Sequence, residues 1–360
     1  MKLFSRIVQA YRSKSTTVID VRWIVDRLSV ILLGSLLWPI DQTLVAETSG
    51  IVSVPALVLL EPVDPAKAQD EQDPQSKSEY LQPQDRLTLI GGAMIERLQT
   101  DGRLEAALYQ SLGSSSFQIR NLGWSGDDVG GTARAVFGQP SDGFERLKSD
   151  LKFTQPTVVL VAYGANESFA GAGGLEKFRV GLGRLLDMVQ ETGGRPVLLT
   201  PPPFEDLGPP LPSMQVANEN LGLYCQAIRE LAAQRNLAVL DLHSRISAAP
   251  KPAQARTENG VHLSQTGTAE VSRIMAEELL GKKSTDAQWM QLSNSGDLLA
   301  KIRKKNEWYF HRYRPQNETY LFLFRKHEQG NNAVEIPKFD ELVQNAEQEI
   351  RRTATGLVPK

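Results

Sequence analysis

Short apolar runs alternate with longer amphipathic stretches between residues 86 and 281. The runs have the length of buried strands and lie at 87–90, 117–121, 157–163, 196–200 and 237–242. The stretches between them space apolar residues at helical intervals and predict helices at about 94–112, 143–152, 174–191, 216–235 and 265–281. This alternation predicts a parallel sheet between two layers of helices, a three-layer α/β/α sandwich.

The first 46 residues have the pattern of a targeting segment. Basic residues outnumber acidic ones up to residue 27, an apolar run covers 28–40, and Thr43-Leu44-Val45-Ala46 follows. This order is typical of an export signal, with cleavage after Ala46. The apolar run is 13 residues long, against the roughly 20 needed to span a bilayer. We therefore predict export to the periplasm or extracellular space, with an uncleaved membrane anchor or a buried helix at 1–46 as alternatives.

The regions on either side of the alternating pattern differ from it in composition. Residues 61–85 are rich in Pro, Gln, Asp and Glu, so they cannot bury enough apolar surface to offset their ordering entropy. We interpret 47–85 as a linker and 86–281 as the folded domain. Residues 282–360 form a C-terminal helical and irregular extension, which ends in a charged helix at about 339–353.

Basic and aromatic residues are interleaved at 301–326 within the extension. Such runs occur in proteins that bind single-stranded nucleic acids. Aromatic clusters more often pack against a core, however, and an exported protein rarely meets nucleic acid. We therefore predict that the extension docks on the α/β domain and that the protein has no nucleic-acid partner.

The composition is that of a globular protein, with 41% hydrophobic and 23% charged residues. A net charge of −2 gives no general reason to expect binding to nucleic acid or a membrane surface. The single cysteine, Cys225, excludes an internal disulfide and a metal site of the Cys-x-x-Cys type. A site that needs histidine must use one of four residues: His243, His262, His311 and His327.

Polar and glycine-rich stretches follow the predicted strands, at the edge of the sheet where α/β proteins usually bind ligands. The first strand ends in Gly91-Gly92-Ala93, and the second in a loop that contains Gly123, Ser125 and Gly126. The third strand ends in Gly164-Ala165-Asn166-Glu167. A further stretch, Asn259-Gly260-Val261-His262, precedes the last helix of the domain.

These four stretches, in this order, resemble the conserved blocks of the SGNH (GDSL-type) hydrolases, a lipase- and esterase-like family. Gly91-Gly92-Ala93-Met94 stands in place of the usual Gly-Asp-Ser-Leu, and Gly123 corresponds to the glycine of the second block. The third block, Gly-x-Asn-Asp, is matched at 164–167, and the last, Asp-x-x-His, at 259–262. The resemblance covers about 86–281 and implies a flavodoxin-like SGNH fold with a five-stranded parallel sheet.

The resemblance also implies roles for individual residues. In this family a serine of the first block attacks an ester, a histidine accepts its proton, and an aspartate orients the histidine. Carried over by position, His262 is the general base and Asn259 occupies the orienting position. Gly123, Asn166 and the backbone N–H of Ala93 are the oxyanion donors. The resemblance implies neither a cofactor nor a metal ion.

Two departures from the family pattern affect the expected chemistry. Ala93 has no hydroxyl, so no acyl-enzyme can form at that position. Asn259 is neutral, and an Asp-to-Asn change in a triad costs about four orders of magnitude in rate. Glu258 and Ser125 lie nearby, but neither is the favoured replacement. His262 could alternatively be a packing histidine, and Asn166 a turn residue bonded to its own backbone.

The sequence therefore supports two hypotheses for the α/β domain, and a third in which the C-terminal extension is a basic surface that docks a partner. The first is an exported, SGNH-like ester hydrolase, acting for example on acetylated glycans, with weak or modified activity because serine is replaced by Ala93. The alternative is a non-catalytic module that binds a glycan or an anion in the residual oxyanion pocket. In both cases the expected partner is a small-molecule or glycan ester ligand. Membrane contact is expected only through an uncleaved N-terminal anchor.

Overall fold

The computed structural model describes residues 80–113 and 116–356, which belong to one compact unit within Asp73–Lys360. Its five strands are β1 (Arg86–Gly91), β2 (Gln118–Asn121), β3 (Val158–Ala162), β4 (Arg195–Leu199) and β5 (Ala238–Leu240). They form one parallel sheet in the order β2-β1-β3-β4-β5. This is the flavodoxin-like order of doubly wound folds. The predicted fold class is therefore confirmed.

The helices of the α/β domain are α1 (Ala93–Asp101), α2 (Arg103–Leu112), α3 (Pro140–Thr154), α4 (Gly171–Glu191), α5 (Gln215–Arg235), α6 (Leu242–Ala248) and α7 (Gln265–Leu280). The C-terminal extension contains α8 (Asp286–Ser293), α9 (Gly296–Tyr313), α10 (Glu318–Leu321), α11 (Lys326–Gln329) and α12 (Lys338–Gly356). Of the helices described, none has the length and apolar character to cross a membrane. The predicted targeting segment, 1–46, and residues 47–79 of the predicted linker lie outside the described residues.

The sheet is covered on both faces because its strands alternate apolar side chains between the two helical layers. Leu87 and Leu89 of β1 pack with α1, α2 and α7, whereas Ile90 packs with α3, α4 and α5. In β3, Leu160 packs on the same side of the sheet as Leu87 and Leu89, and Val161 packs on the same side as Ile90. Burial on both faces explains why the strands have nearly continuous apolar sequences.

One predicted helix, 94–112, is two helices in the structure. Gly102 adopts the left-handed conformation (φ 83°), and its N–H bonds to the Leu98 carbonyl at 3.1 Å. This ends α1, and α2 begins at the next residue, Arg103. A left-handed glycine is the usual C-terminal cap of a helix, so the amphipathic spacing continues across a break in the backbone.

The described part of the predicted linker, residues 80–85, contacts the α/β domain. The Tyr80 N–H donates to the Leu279 carbonyl at 3.1 Å, and Leu81 is fully buried in the core. The Asp85 carboxylate accepts hydrogen bonds from the Gln82 N–H at 2.7 Å and the Thr157 hydroxyl at 2.6 Å. Residues 80–85 therefore pack with the α/β domain.

The C-terminal extension covers the sheet at β2, which is an edge strand. The Lys305 side chain of α9 is 1% exposed and bonds to Glu105 of α2, 4% exposed, at 2.5 Å. The same ammonium group lies 3.4 Å from the Ile119 carbonyl of β2. Asn306 donates to the second oxygen of Glu105 at 2.6 Å. These bonds join the extension to the domain and cover an edge that could otherwise pair with another chain.

Replacing Lys305 with Met should reduce the free energy of unfolding by about 3–5 kcal/mol, because Glu105 would keep a buried charge without its cation. The double variant Lys305→Met/Glu105→Gln should recover most of this loss, since a neutral amide at position 105 needs no counter-ion. Chemical denaturation of the purified chain measures both effects. Lys304→Met, at an exposed ion pair in the same helix, is the control and should change stability by no more than about 0.5 kcal/mol. Equal effects of the two single variants would contradict the prediction.

Candidate active site

The N-terminus of α1 lies at the carboxyl edge of the sheet, directly after β1. Gly92 precedes the helix in an extended conformation, and Ala93 is its first residue. The Glu96 N–H donates to the Gly92 carbonyl at 3.1 Å, which closes the first helical turn. The N–H groups ahead of it have no partner within the helix and favour negative charge at this edge. Ala93 thus supplies a backbone N–H to this edge and no hydroxyl.

The Gly123 N–H, predicted as an oxyanion donor, has an acceptor within the protein. It donates to Asn121 Oδ1 at 2.8 Å, and the Asn121 amide donates to the Ile95 carbonyl at 2.6 Å. Gly123 is buried against the first turn of α1, where an added Cβ would overlap the backbone of Glu96. The absent side chain serves close packing of the loop on the helix rather than ligand contact.

Gly126, in the same loop, lies at the pocket instead. Its φ is 80°, and a Cβ added there would meet no atom within 4 Å. The structure assigns no acceptor to the Gly126 N–H among the described residues. Gly126 is therefore a candidate donor that the sequence analysis missed. The sequence contained a signal, a glycine on each side of Trp124-Ser125, but choosing between them requires the path of the backbone.

Asn166 lies at the pocket, where the loop after β3 meets the loop after β2. Its side-chain amide donates to the carbonyls of Gly126 at 3.1 Å and Asp127 at 3.3 Å. The next residue, Glu167, accepts hydrogen bonds from the N–H groups of Val129 and Gly164, both at 2.9 Å. Asn166 and Glu167 thus fix the two loops to each other, and the oxyanion role of Asn166 stays a prediction.

His262 lies on a tight turn that leads into α7. The turn is closed by a 2.8 Å hydrogen bond from the Glu258 N–H to the His262 carbonyl. Asn259 Oδ1 accepts from the N–H groups of Val261 at 3.2 Å and His262 at 2.8 Å. Within the described chain, no hydrogen bond joins the Asn259 side chain to the imidazole. The orienting position predicted for Asn259 is therefore occupied by a residue that stabilises the turn.

Three of the predicted site residues, Ala93, Asn166 and His262, line one cavity of about 400 Å³. Ser125 and Gly126 line it too, whereas Gly123 and Asn259 do not. Its apolar walls are formed by Met94, Ala162, Phe169, Pro201, Pro202 and Phe204. A mostly apolar cavity with a few polar groups that converge on one end is the usual form of a small-molecule site.

Two carboxyl groups at the cavity are directed to partners within the protein. Asp127 is fully buried and accepts from Arg134 at 2.7 Å and from the Tyr163 hydroxyl at 2.9 Å. Burial raises the pKa of the Asp127 carboxyl above its ordinary value, although Arg134 opposes the shift. Burial also raises the pKa of the Glu167 carboxyl above its ordinary value. Neither group is placed as a base for a ligand in the cavity.

Two residues with hydroxyl groups, Tyr163 and Ser125, line the cavity. The Tyr163 hydroxyl is engaged by Asp127, and burial raises its pKa well above the ordinary value. The Ser125 N–H bonds to the Glu96 carboxylate, and the Ser125 hydroxyl has no hydrogen-bond partner among the described residues. Residues 80–113 and 116–356 contain no group of three or more His, Cys, Asp or Glu side chains suited to a metal ion.

The C-terminal extension contacts the loop that carries Ser125 and Gly126. The Glu96 carboxylate accepts from the Ser125 N–H and also from Arg314 at 3.3 Å. The Arg314 guanidinium lies 3.6 Å from the centre of the Trp124 ring, a cation–π contact. The Tyr313 hydroxyl donates to the Gly123 carbonyl at 3.2 Å. Residues after 281 thus help to fix one wall of the cavity.

A comparison with protein families supports the resemblance found in the sequence. Residues 92–269 match the model of the GDSL-like lipase/acylhydrolase family. No curated protein sequence matches the chain.

Solved structures share the fold. A gut microbial diltiazem-metabolizing enzyme aligns over 78% of this chain and 96% of its own, with 10% identity and a TM-score of 0.55. A lipase/acylhydrolase from Enterococcus faecalis aligns over 56% of this chain and 99% of its own, with 21% identity and a TM-score of 0.43. A catalytic mutant of an acetylxylan esterase from Geobacillus stearothermophilus aligns over 57% and 100%, with 17% identity and a TM-score of 0.42.

Replacing Glu96 with Ala should loosen the loop at Ser125, because the charged acceptor of its N–H is removed. Hydrogen bonds to charged groups contribute about 1.5–3 kcal/mol, so we expect amide exchange at Ser125 to accelerate about ten- to hundredfold. Hydrogen exchange followed by NMR measures this rate. Amides of β3 should be unaffected, as should the loop in the control Glu307→Ala, at an exposed ion pair. Unchanged exchange at Ser125 in Glu96→Ala would contradict the prediction.

Proposed function

Residues 92–269 form a domain of the GDSL-like lipase/acylhydrolase family, and from this premise we propose that the cavity binds an acyl ester and hydrolyses it slowly without a covalent intermediate. The observation that carries the proposal is the cavity of about 400 Å³ that His262 shares with the N-terminus of α1 at Ala93. It combines a candidate base with backbone donors. A base without a nearby nucleophilic hydroxyl can act on water instead.

In the proposed reaction, His262 accepts a proton from water while the water oxygen attacks the acyl carbon. The carbonyl oxygen then carries negative charge, which the N–H groups of Ala93 and Gly126 stabilise. The intermediate collapses, the bond to the alcohol oxygen breaks, and the imidazolium returns the proton to the leaving alcohol. The products are a carboxylic acid and an alcohol, and no group on the protein is acylated.

The reaction is expected to be slow because no carboxylate supports the imidazolium. Asn259 is neutral, and its side-chain oxygen already accepts two backbone N–H groups. Oxyanion stabilisation and binding without an intact triad give about a thousandfold acceleration over water. This magnitude is the scale of activity to expect for the protein as it stands.

The proposed ligand is a short-chain ester on a sugar-sized group. Phe169 and Phe204 form a tilted ring pair 5.2 Å apart at the wall of the cavity, next to Pro201 and Pro202. Such a wall suits the apolar face of a sugar ring, and the space by Ala93 suits an acetyl group. We also propose that the protein is exported through residues 1–46. A mature chain that begins at Glu47 by mass spectrometry would support cleavage, and retention of Met1 would support an anchor.

Ligand binding without turnover is the second candidate function. It is favoured by Ala93 at the nucleophile position and by the engagement of Asn259 in the turn. The two candidates share the cavity and differ only in whether the bound ester is consumed. Measuring ligand binding and ester hydrolysis on the same preparation therefore distinguishes them.

Replacing His262 with Ala should abolish the slow hydrolysis of fluorogenic acetate esters, because no other base is available at the acyl group. The assay uses high concentrations of purified protein. His327→Ala, at an exposed histidine of α11, is the matched control and should leave the rate unchanged. If the wild type and His262→Ala both bind the ester and neither consumes it, the binding function replaces the hydrolytic one. Equal turnover by both would remove His262 from the mechanism.

The triple variant Gly92→Asp, Ala93→Ser and Asn259→Asp should increase hydrolysis by about three to four orders of magnitude, because it restores a nucleophile and the acid that supports His262. The site has room for the change, since the nearest atom to a Cβ at Gly92 is the Asp127 carbonyl oxygen at 3.8 Å. Steady-state rates on acetate esters measure the gain, and mass spectrometry detects the acyl group on the introduced serine. A folded triple variant that gains no activity would show that the cavity no longer accepts an ester.

A further inference from the structure

We infer that the cavity selects acyl esters that also carry a carboxylate, and that Arg97 is the residue that selects them. This inference rests on the proposed function, because it concerns the ligand of the same site. Arg97 lies four residues after Ala93, so both project from the same side of α1. Arg97 lines the main cavity, and it lines a small annex of about 20 Å³ together with Met94 and His262.

Arg97 and the N-terminus of α1 offer positive charge to a ligand in the cavity. Arg97 is the only lysine or arginine in the lining of the cavity formed by the described residues. The two acidic residues of the lining are turned to other partners, Asp127 to Arg134 and Glu167 to backbone N–H groups. The N-terminus of α1 adds partial positive charge at the same end. A ligand near Ala93 therefore meets this partial charge and the exposed guanidinium of Arg97, whereas the carboxyl group of Glu167 is held by backbone N–H groups.

Arg97 remains accessible to such a ligand. Its single ion pair in the described residues is with Glu258, at 3.2 Å, and the two side chains are 46% and 59% exposed. Exposed pairs of this kind are weak because water screens them. The recorded bond uses one terminal nitrogen, Nη1, and a guanidinium has five N–H donors. A ligand carboxylate can therefore displace Glu258 or bind beside it, with the two-point geometry that arginine offers.

Glu258 thus competes with a ligand carboxylate for the Arg97 side chain. It belongs to the turn that carries His262, since its N–H donates to the His262 carbonyl at 2.8 Å. A ligand bound to Arg97 would lie next to the candidate base. The predicted consequence is that removing the charge of Glu258 strengthens anion binding, whereas removing the charge of Arg97 abolishes the selection.

The test uses two matched pairs of esters on the purified full-length chain. 4-Acetoxybenzoate and 4-acetoxybenzamide differ in charge on the alcohol side, and monophenyl succinate and phenyl pentanoate differ in charge on the acyl side. Affinity is measured by ligand-observed NMR, separately from hydrolysis. For hydrolysis, the ratio of kcat/KM values within each pair is compared between variants, which cancels the intrinsic reactivity of the esters.

Wild-type protein should bind the charged member of at least one pair about tenfold more tightly, as expected for a partly screened charge pair. The pair that shows this preference identifies the side of the ester that faces Arg97. Arg97→Gln should bring the ratio close to one, and Arg97→Lys should keep part of it. Glu258→Gln should raise the ratio about two- to threefold, because an exposed pair opposes the ligand only weakly. Arg352→Gln and Glu349→Gln, a surface pair 3.2 Å apart on α12, are the matched controls and should change nothing.

The results that would overturn the proposed function differ from the results that would overturn this inference. A charge preference in binding that disappears in Arg97→Gln supports the inference even if no ester is hydrolysed. Equal binding of charged and neutral esters, or a preference that persists in Arg97→Gln, overturns it even if hydrolysis occurs. It is also overturned if no ester of either pair binds. A fall in thermal stability in both Arg97→Gln and Glu258→Gln with unchanged ratios would make the pair a structural link only.

Discussion

Close packing of backbones on either side of the junction between β1 and α1 is the constraint on which the site depends. A Cβ on Gly91 would lie 2.5 Å from the Ala162 carbonyl oxygen of β3, and one on Gly123 would overlap the backbone of Glu96. Glycine at position 91 lets the end of β1 lie against β3, and glycine at position 123 lets the loop after β2 pack on the first turn of α1. This fit places the Ala93 N–H at the cavity and brings Glu96 to the Ser125 N–H. Ala93, the first residue of α1, takes its position from this fit.

Features that depend on residues close in sequence were predicted, and features that depend on contacts between distant residues were not. Strands and helices were predictable because periodicity within a segment reflects which faces are buried. The break at Gly102 was missed because apolar spacing continues across it. The sequence did not show that Gly126, and not Gly123, lines the cavity, because this depends on the path of the loop and on the bond from Gly123 to Asn121. The link between Glu96 and Arg314 joins residues 218 positions apart, so no local pattern could indicate it.

Contacts between the C-terminal extension and the domain explain why basic and aromatic residues are interleaved in the extension. Arg314 stacks on Trp124 of the domain at 3.6 Å, and Arg312 lies 4.4 Å from the ring of Phe153. The extension also presents carboxylates to the domain, since Glu318 pairs with Arg146 at 2.6 Å. The arginines are therefore engaged by rings and acids of the same chain, which is a different use from contacts with phosphates. The same segment covers the edge strand β2 and fixes the loop at Gly126, so stability of the edge and geometry of the cavity are coupled.

Ala93 offers a backbone N–H and no hydroxyl, and this affects what the groups at this edge of the sheet can stabilise. In an intact hydrolase, backbone donors at such a site act mainly on the charge that develops in the transition state. Without a nucleophile at Ala93, that charge forms only when water attacks, and the same donors are otherwise free to interact with a charge already present on the ligand. Arg97 extends this donor surface along α1, and its partner Glu258 is exposed and replaceable. On the proposed mechanism, donors that stabilise a transient oxyanion also suit a permanent anion on the ligand, with no change in the backbone that positions them.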